Sequence, residues 1–432
     1  HPNRSWNVVY SEIAELQDGT PFQIDLSEFS GKGNDGLLYL EVIALGDEVT
    51  LTGGRFATSD QPAAWPRLAV SITTFKREDD VRRTVARLED FLKAFEQGDQ
   101  LHVQVVDNGK SAEIPASDKV TPYPNSNLGG AGGFARGLLE AEKGGFTHGL
   151  FMDDDASFHM ENLARTYIFL ALAKDPNTAV SGAMINNTHK WAMWENGAYF
   201  DGSCHPLHNG TDLRDRYAVT QMEFKSARPQ SKTLYGGWWF FAFPIQKVSH
   251  HPFPFFVRGD DISFSLANDF KIVTLNGVVS FQDDFTEKES PQTLYLDLRN
   301  HLMHHMVFDQ LDRSALGTAR IAIRFMMRSM LRFKYESAEA QLLAWHDVMK
   351  GPKFFDENID MSERRAAIKS LIKDEAWREI NVLDAQERRR FSKMPRRLRH
   401  YFGLFTLNGH LIPFWNIIGD RKVLDIDDRG LV

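Results

Sequence analysis

The chain has 432 residues, of which 42% are hydrophobic and 25% charged, with a formal net charge of −8 and one cysteine. This length predicts two or three domains, and the composition excludes a disordered chain. The negative charge argues against a nucleic-acid-binding surface, and a single cysteine excludes a disulfide framework or a cysteine-rich zinc site. Because no uncharged apolar run reaches the roughly 18 residues of a membrane span, we expect a cytoplasmic protein in a reducing compartment, attached at most to a membrane surface.

Residues 1–65 predict a small β-sandwich. Residues 37–42 and 49–52 are short β-prone runs, separated by glycine-rich and acidic turns. The proline-containing stretch 61–66 that follows is typical of a linker, so we expect the first domain to end there.

From residue 66 onwards, strand patterns alternate with helix patterns. Residues 68–74 and 102–106 predict buried strands, and residues 79–92 between them have apolar side chains at helical spacing. Such alternation indicates a parallel sheet, which binds ligands at the carboxyl ends of its strands. The polar residues that follow three strands, at 75–77, 107–109 and 153–155, are therefore expected along one edge of the sheet.

Three consecutive carboxylates, Asp153, Asp154 and Asp155, end an apolar strand and have no basic neighbour in the sequence. Clustered carboxylates repel one another, so a cation is expected to offset their charge. Hard oxygen ligands favour Mg²⁺ or Mn²⁺, commonly together with substrate phosphates. An acidic loop that caps the following helix is the alternative interpretation.

A glycine-rich loop at residues 127–134 opens a helix near Phe134. Bare backbone at a helix N-terminus favours phosphate or ribose binding. The spacing of Gly130, Gly132 and Ala135 also matches the dinucleotide fingerprint, although prolines rather than a strand end precede it. A tight loop without any ligand remains an alternative.

Two further motifs allow both a functional and a structural interpretation. Asp260 and Asp261 begin a predicted helix, where they either offset the helix dipole or supply a general base. Gly237, Trp238 and Trp239 place aromatic rings beside glycine backbone, which suits stacking on a sugar, although most tryptophans are core residues.

Residues 306–432 predict a helical domain. Its amphipathic segments are residues 319–333 and 338–349, and a basic run at 388–399 is followed by aromatic residues at 401–405 and 412–415. Basic residues beside aromatic ones suit an anionic membrane surface. A solvated basic helix packed on the preceding domain explains the same run equally well.

In chain order, the motifs at 70–77, 107–109, 127–134 and 152–155 resemble those of family 2 inverting glycosyltransferases. The motifs at 237–239, Asp260–Asp261 and 298–300 resemble the galactofuranosyltransferase branch of that family. The resemblance implies a GT-A fold, an α/β Rossmann-like mixed sheet, over residues 66–305. It also implies UDP-galactofuranose as donor and a glycan acceptor, expected on a polyprenyl lipid. No nucleic-acid partner is expected, because the net charge is negative. A homo-oligomer is compatible with the sequence.

The resemblance also implies a role for each matching residue. Asp261 is the expected catalytic base, and Asp260 is expected to orient the acceptor. Mn²⁺ or Mg²⁺ is expected between Asp153 and Asp155. Contacts to the donor or its nucleotide are expected from Arg77, Asp107, Asn127, Gly129, Gly130, Asp153, Asp154, Trp238 and Trp239.

Two departures from the family pattern affect the acceptor and metal side. A histidine of the family is replaced by Gln282, so either Gln282 or Asp283 would complete the metal site. A second family histidine is replaced by Asp297. We therefore expect galactofuranosyl transfer to a lipid-linked bacterial surface glycan, with two alternatives: another sugar donor such as a rhamnosyl nucleotide, or a catalytically silent glycan-binding protein, which the Gln282 departure favours.

Overall fold

The computed structural model describes residues 7–15, 17, 19–27, 37–46, 50–155, 157–228, 230–283, 289–375 and 395–414. Its centre is an eight-stranded mixed sheet with strand order β11-β5-β10-β4-β1-β2-β3, and β6 pairs with the side of β5. The strands are β1 (Leu68–Thr74), β2 (Leu101–Asp107), β3 (Val120–Pro124), β4 (His148–Asp153), β5 (Thr178–Asn186), β6 (Met193–Glu195), β10 (Phe241–Pro244) and β11 (Lys271–Gln282). A separate three-stranded sheet consists of β7 (Ala198–Phe200), β8 (Cys204–Pro206) and β9 (Leu234–Tyr235).

Four adjacent strands of the main sheet, β3, β2, β1 and β4, are parallel. They are rich in β-branched and other apolar residues because helices cover them, which is the usual composition of parallel strands. β10 lies antiparallel between β4 and β5, which makes the sheet mixed. The predicted α/β class with a Rossmann-like mixed sheet is confirmed, and β1 occupies the predicted residues 68–74.

Eleven helices are present in the described part of the chain. Five accompany the sheets: α1 (Glu78–Ala94), α2 (Gly129–Lys143), α3 (Glu161–Leu172), α4 (Arg216–Ser226) and α5 (Asp260–Ala267). The others are α6 (Pro291–Val307), α7 (Ala315–Leu331), α8 (Tyr335–Val348), α9 (Pro352–Glu357), α10 (Ser362–Leu371) and α11 (Arg396–Thr406). The apolar residues of α1 at 81, 85, 88 and 92 are buried against the sheet, as their spacing predicts.

The helical region shares a hydrophobic core with the segment that precedes α5. Leu298 and Leu302 of α6 pack in one cluster with Ala340 and Ala344 of α8 and with Phe255. The predicted domain boundary at residue 305 falls inside α6. The α6 helix packs with the helices that follow it. The predicted domain boundaries at residues 65 and 305 remain predictions.

The N-terminal β-sandwich is not observed. The described residues between 7 and 67 form no strand, and the strand predicted at 37–42 is wrong. Leu40 and Ile43 are 60% and 71% exposed. A β-prone run forms a strand only when another strand pairs with it, and local propensity alone does not supply that partner.

Much of the C-terminal basic run, residues 388–394, and Trp415 lie outside the described residues. No helix in the described part of the chain is long and apolar enough to cross a membrane.

Candidate active site

The carboxyl ends of β1, β2 and β4 meet at one edge of the main sheet. In the parallel register Thr74 lies beside Asp107, and Thr73 lies beside Asp153. The backbone N–H of Asn108 donates to Thr74 O at 2.9 Å, so the loops after β1 and β2 are joined at this edge. The predicted convergence of three polar strand ends is confirmed.

The aspartate triplet has a basic partner that the sequence analysis did not recognise. Arg77 Nη1 lies 3.2 Å from Asp154 Oδ1 and also contacts Asp155. The Thr74 hydroxyl donates to Asp154 Oδ2 at 2.7 Å. Burial raises the pKa of Asp154, although Thr74 and Arg77 oppose that rise. Asp154 is thus a buried structural acid, and Arg77, whose side chain is 38% exposed, is oriented by two carboxylates.

The four predicted metal ligands have three different sets of partners. Gln282 ends β11, is buried, and its Nε2 donates to Asp153 Oδ2 at 3.1 Å. Asp155 instead contacts Arg77, and Asp283 Oδ1 accepts a hydrogen bond from Asn187 Nδ2 at 3.0 Å. Within the described ranges, no group of three or more His, Cys, Asp and Glu side chains could hold a metal ion. Only Asp153 and Gln282 are brought together.

Asp107 closes the turn after β2. Its Oδ1 accepts the backbone N–H groups of Gly109 and Lys110, and its Oδ2 accepts that of Ala112, all at 2.8 to 2.9 Å. Two carboxylate oxygens offer about four acceptor positions in total. Three are used by the protein, so the predicted nucleotide contact has little left to use.

The glycine-rich loop is packed against protein along most of its length. The helix α2 begins at Gly129, earlier than the predicted start near Phe134, and Asn127 Oδ1 accepts the Gly129 N–H at 3.2 Å. Gly129 has φ +71°, and a Cβ built there would lie 2.1 Å from Phe256 O. A Cβ on Gly133 would lie 2.1 Å from Thr73 Cγ2. These glycines therefore allow backbone to approach neighbouring protein, whereas the sequence analysis favoured a ligand.

Gly130 is the exception, because it faces Asp260, the first acid of the pair that begins α5. A Cβ built on it would lie 3.6 Å from Asp260 Oδ2. The loop and the acid pair at the start of α5 are thus adjacent, and part of the predicted site is assembled across more than a hundred residues of chain.

The backbone before α5 is held in an uncommon conformation. Phe256, Arg258 and Gly259 have φ values of 74°, 73° and 76°. A left-handed conformation costs a non-glycine residue about 1–3 kcal/mol, so surrounding contacts must compensate. One of them comes from the glycine-rich loop, where Ala131 N donates to Phe256 O at 3.0 Å.

The other contacts come from α6. Arg299 Nη2 donates to Phe255 O at 2.5 Å, and Asn300 Nδ2 donates to Val257 O and Arg258 O at 2.9 and 2.6 Å. Arg299 and Asn300 are both fully buried. The sequence motif 298–300 therefore has a structural role, which is to fix the carbonyl groups of residues 255–258 and with them the start of α5.

Asp260 and Asp261 are the first two residues of α5. Burial, followed by the charge of Asp261, raises the pKa of Asp260 well above its usual value, and Asp153 adds to this rise. Burial raises the pKa of Asp261 to about 6, although the Ile262 N–H and the charge of Arg258 oppose it. Asp260 is thus close enough to Asp153 for their charges to interact, and both acids of the pair are poorly solvated.

Glu195 is a third acid of this group, and the sequence analysis missed it. It ends β6, it is 6% exposed, and burial together with the charge of Asp261 raises its pKa to about 8. No motif surrounds it. The available signal was a glutamate at the end of an apolar run, which is rare in a buried strand.

Asp297, the residue in place of a family histidine, pairs with Arg258. Its Oδ1 lies 3.8 Å from Arg258 Nε. Burial raises the pKa of Asp297 to about 6, and the charge of Arg258 opposes the rise. The departure from the family pattern thus has a basic partner beside the acid pair.

Trp238 and Trp239 are core residues here, so neither offers the exposed stacking surface predicted for a sugar. Trp238 packs edge-on against Phe134 and Phe151, and Trp239 Nε1 donates to Gly182 O at 2.8 Å. They are 5% and 8% exposed. Large aromatic side chains bury much apolar area, and the neighbouring glycines admit the rings into the core.

The chain is similar to two curated enzymes. It is 26% identical to galactofuranosyltransferase GlfT2 of Mycobacterium tuberculosis over 330 residues, which cover 71% of the chain and 52% of that enzyme. It is 24% identical to GlfT2 of Mycolicibacterium smegmatis over 356 residues, which cover 77% of the chain and 54% of that enzyme. The chain resembles these galactofuranosyltransferases. It spans about half the length of these two relatives, and no protein-family model matches it.

Two solved glycosyltransferase structures are also similar. The mannosyltransferase PcManGT from Pyrobaculum calidifontis, in complex with GDP-Man and Mn²⁺, is 15% identical, with coverage of 74% and 85% of the two chains and a TM-score of 0.38. GalNAc-T7 with UDP, GalNAc and Mn²⁺ is 12% identical, with coverage of 71% and 58% and a TM-score of 0.40. TM-scores this low do not support a comparison residue by residue.

Replacing Asn300 by alanine tests the support of the strained segment. Asn300→Ala removes two hydrogen bonds to buried carbonyl groups, so we expect the free energy of unfolding to fall by about 1–3 kcal/mol. Urea unfolding measures the change. Gln292→Ala, an amide truncation at the other end of α6, is the control and should have a much smaller effect. Equal stability of the two variants would contradict the assigned role.

Replacing Asp261 by asparagine tests its perturbed pKa. Because the folded-state pKa is about 6 and the ordinary value is 3.8, ionisation of Asp261 costs stability as pH rises from about 4 to 6. We expect Asp261→Asn to be more stable than the wild type by about 1–3 kcal/mol at pH 7.5. This gain should disappear near pH 4.

Urea unfolding at several pH values gives the profile for Asp261→Asn. The exposed Asp269→Asn variant is the control and should show no such pH-dependent gain. A gain for Asp261→Asn that is the same at pH 4 and pH 7.5 would rule out burial of the charged carboxylate as its cause.

Proposed function

We propose that the chain is an inverting glycosyltransferase that transfers galactofuranose from UDP-galactofuranose to a hydroxyl group of a glycan. The observation that carries this proposal is the poorly solvated acid pair Asp260–Asp261 at the carboxyl edge of a mixed sheet, where the charge of Asp153 acts on Asp260. Asp261 matches the position of the catalytic base in the family motifs. Asp153 matches the position of an acid that binds the nucleotide or its metal. The two relatives named galactofuranosyltransferases support the choice of donor.

Asp261 is the proposed general base. The attacking acceptor hydroxyl forms a bond to C1 of the sugar while the bond from C1 to the UDP oxygen breaks, which inverts the anomeric centre. The hydroxyl proton passes to Asp261, whose pKa of about 6 leaves it ionised at neutral pH yet basic enough to accept a proton. Asp260 beside it orients the acceptor, and no covalent enzyme intermediate is needed.

Glu195 complements this base because its environment is different. With a pKa of about 8, it is mostly protonated at neutral pH, while Asp261 is mostly ionised. Two neighbouring acids whose environments separate their pKa values can take opposite roles. A protonated Glu195 can donate a hydrogen bond to an acceptor oxygen and adds no negative charge next to Asp261.

A divalent cation is proposed on the nucleotide side. Mg²⁺ is usually bound by one or two carboxylates together with substrate phosphates, and Asp153 offers such a carboxylate. The Gln282 amide group lies beside it, and a half-turn of the amide would bring its oxygen to the position of its nitrogen. Asp153 and Gln282 would therefore hold Mn²⁺ or Mg²⁺, which would stabilise the charge on the departing diphosphate. Asp155 and Asp283 are held elsewhere.

The remaining donor contacts are proposed on the glycine-rich side of the same edge. Gly130 lies next to Asp260, Gly129 O accepts a hydrogen bond from Asn108 just after β2, and Asn127 holds the Gly129 N–H. We expect Asn127 and Gly130 to contact the nucleotide there, as the family motifs imply. Arg77 could join them while keeping its ion pairs, since both pairs with Asp154 and Asp155 use Nη1 and the guanidinium group has five N–H donors.

A catalytically silent glycan-binding protein is the second candidate function. The observation that favours it is the direct hydrogen bond between Gln282 and Asp153, because it satisfies with an amide the carboxylate that would otherwise face a metal. This candidate requires glycan binding that does not change with Mn²⁺ or UDP.

Release of UDP is the decisive measurement. We expect release from UDP-galactofuranose that rises with a galactose-containing acceptor and requires Mn²⁺ or Mg²⁺, with less turnover of a rhamnosyl nucleotide. Asp261→Asn should lower kcat by about 10²–10⁴-fold and leave UDP binding intact, because only proton transfer is lost. Asp269→Asn is the control with unchanged kcat.

Each other outcome has a definite meaning. Turnover of the rhamnosyl nucleotide alone would reject galactofuranose as the donor sugar. Full turnover by Asp261→Asn would reject Asp261 as the base. Glycan binding without UDP binding would reject the enzyme and favour the second candidate.

Contact with a membrane surface, expected for a lipid-linked acceptor, is proposed for α11. Its exposed apolar residues Leu398, Tyr401, Leu404 and Phe405 recur at helical spacing, and they are 57% to 74% exposed. An apolar helix face next to a basic sequence suits insertion between anionic headgroups.

Flotation with vesicles of anionic lipid tests this contact. Leu404→Ser with Phe405→Ser should lower the bound fraction several-fold, since about half of the exposed apolar face of α11 is lost. Leu316→Ser, an exposed leucine of α7, is the control and should bind like the wild type. Unchanged binding of the double variant would exclude α11 as the membrane contact.

A further inference from the structure

A polar cavity lies between α6, α7 and α8, and Asp297 of α6 is one of its lining residues. Its volume is about 110 Å³, which is room for several water molecules or one phosphate group. Arg328, Arg332 and Lys334 contribute three cations to its wall, and Glu289 and Asp297 contribute two carboxylates. A nucleotide or a whole sugar chain needs a pocket of roughly 300 Å³ or more, so only a small group fits inside.

The charges around the cavity are unequal. Glu289 Oε1 lies 2.6 Å from Lys334 Nζ, and its other oxygen lies 4.0 Å from Arg332 Nη1. Asp297 is paired with Arg258, which does not line the cavity, and the charge of Arg328 also acts on Asp297. The wall thus carries three cations and two carboxylates, and the remaining positive charge favours a bound anion. Arginine suits phosphate in particular, because its planar guanidinium group can bind two oxygens at once.

The inner wall of the cavity is polar and ordered. Ser329 and Gln341 are both buried, and the Ser329 hydroxyl donates to Gln341 Oε1 at 2.9 Å. Phe325 and Leu294 complete the wall with apolar surface. An anion that enters would therefore lie against the fixed side chains of Ser329 and Gln341 and be less screened on that side than on an open surface, while Arg328 reaches it from an exposed position.

The cavity is connected to the proposed base by one ion pair. Asp297 lines the cavity and pairs with Arg258, and the charge of Arg258 acts on Asp261, three residues along the chain. Asn300, one turn further along α6 from Asp297, holds the Arg258 carbonyl. An anion in the cavity is thus next to Asp297, one of the two departures from the family pattern, which is joined to the acid pair through Arg258.

We propose that this cavity binds a phosphate group carried by the acceptor, with Arg328 and Arg332 as its principal ligands. The proposal rests on the proposed transferase function for its acceptor, but the binding of phosphate itself does not. A phosphate held there would anchor one end of the acceptor while its hydroxyl is presented to Asp261. Free phosphate and the phosphate of a lipid headgroup share the chemistry of a phosphate on the acceptor. The experiments below therefore distinguish these three sources.

Binding of inorganic phosphate, followed by calorimetry or ³¹P NMR on the full chain, is the first test. Arg328→Gln combined with Arg332→Gln should weaken binding about tenfold or more, because two charge-assisted hydrogen bonds are lost. Arg320→Gln combined with Arg324→Gln removes the same charge from two other positions of α7, which do not line the cavity. This control should bind phosphate like the wild type. Equal loss in both double variants, or no binding by the wild type, would overturn the proposal.

Glu289→Gln supplies a test in the opposite direction. It removes the carboxylate that competes with phosphate for Lys334 and Arg332, so phosphate should bind about threefold tighter or more. A variant that merely misfolds cannot give this gain. Unchanged or weaker binding with a wild-type unfolding curve would overturn the assignment of these cations as ligands.

The source of the phosphate is tested with paired acceptors. We compare KM for a glycan acceptor with a phosphate at its reducing end and for the same glycan without it. The Arg328→Gln, Arg332→Gln variant should raise KM for the phosphorylated acceptor about tenfold more than for the neutral one. Equal changes would reject the acceptor as the source, and inhibition of binding by anionic headgroup analogues alone would favour lipid.

Failure of the transferase function would be recognised separately. In that case neither acceptor would be turned over, while the calorimetric result with inorganic phosphate would still decide whether the cavity binds an anion.

Discussion

The hydrogen bonds from α6 to the backbone of residues 255–258 are the constraint on which the site depends. Arg299 and Asn300 donate to three carbonyl groups there, and Ala131 of the glycine-rich loop donates to a fourth. Together they keep Phe256 and Arg258 in left-handed backbone conformations that an isolated chain would avoid. These strained conformations fix the position of α5, whose first two residues are acids at the edge of the sheet. The helical region is therefore part of the site and not a separate appendage.

Burial then differentiates acids that look alike in the sequence. Asp154 is used to fix Arg77, Asp153 faces Gln282, and Asp261 and Glu195 are desolvated to different degrees. In water all of these carboxyl groups would ionise near pH 4. The pKa values of Asp261 and Glu195 are instead raised to about 6 and about 8. This difference comes from the fold, because only the packed structure can remove more water from one acid than from another.

Local patterns in the sequence predicted the parts of the fold that local chemistry determines. The β-branched run 68–74 is β1, and the acid pair begins α5 as expected, since both signals lie within a few residues. The partner of the aspartate triplet was missed because Arg77 is 77 residues away from Asp154. Trp238, Trp239 and the N-terminal β-prone runs were misinterpreted for a related reason: whether a ring or a strand finds a partner is decided by distant residues.

Gln282 has a consequence for how the protein would respond to acidity. A histidine that binds a metal must first lose its proton, so it links metal affinity to pH near 6.5. An amide carries no proton that competes with a cation. Any cation held by Gln282 and Asp153 would therefore stay bound in mildly acidic solution until the carboxylate itself is protonated. Loss of activity near pH 6 would then report the state of the acids around Asp261 and not the departure of the metal.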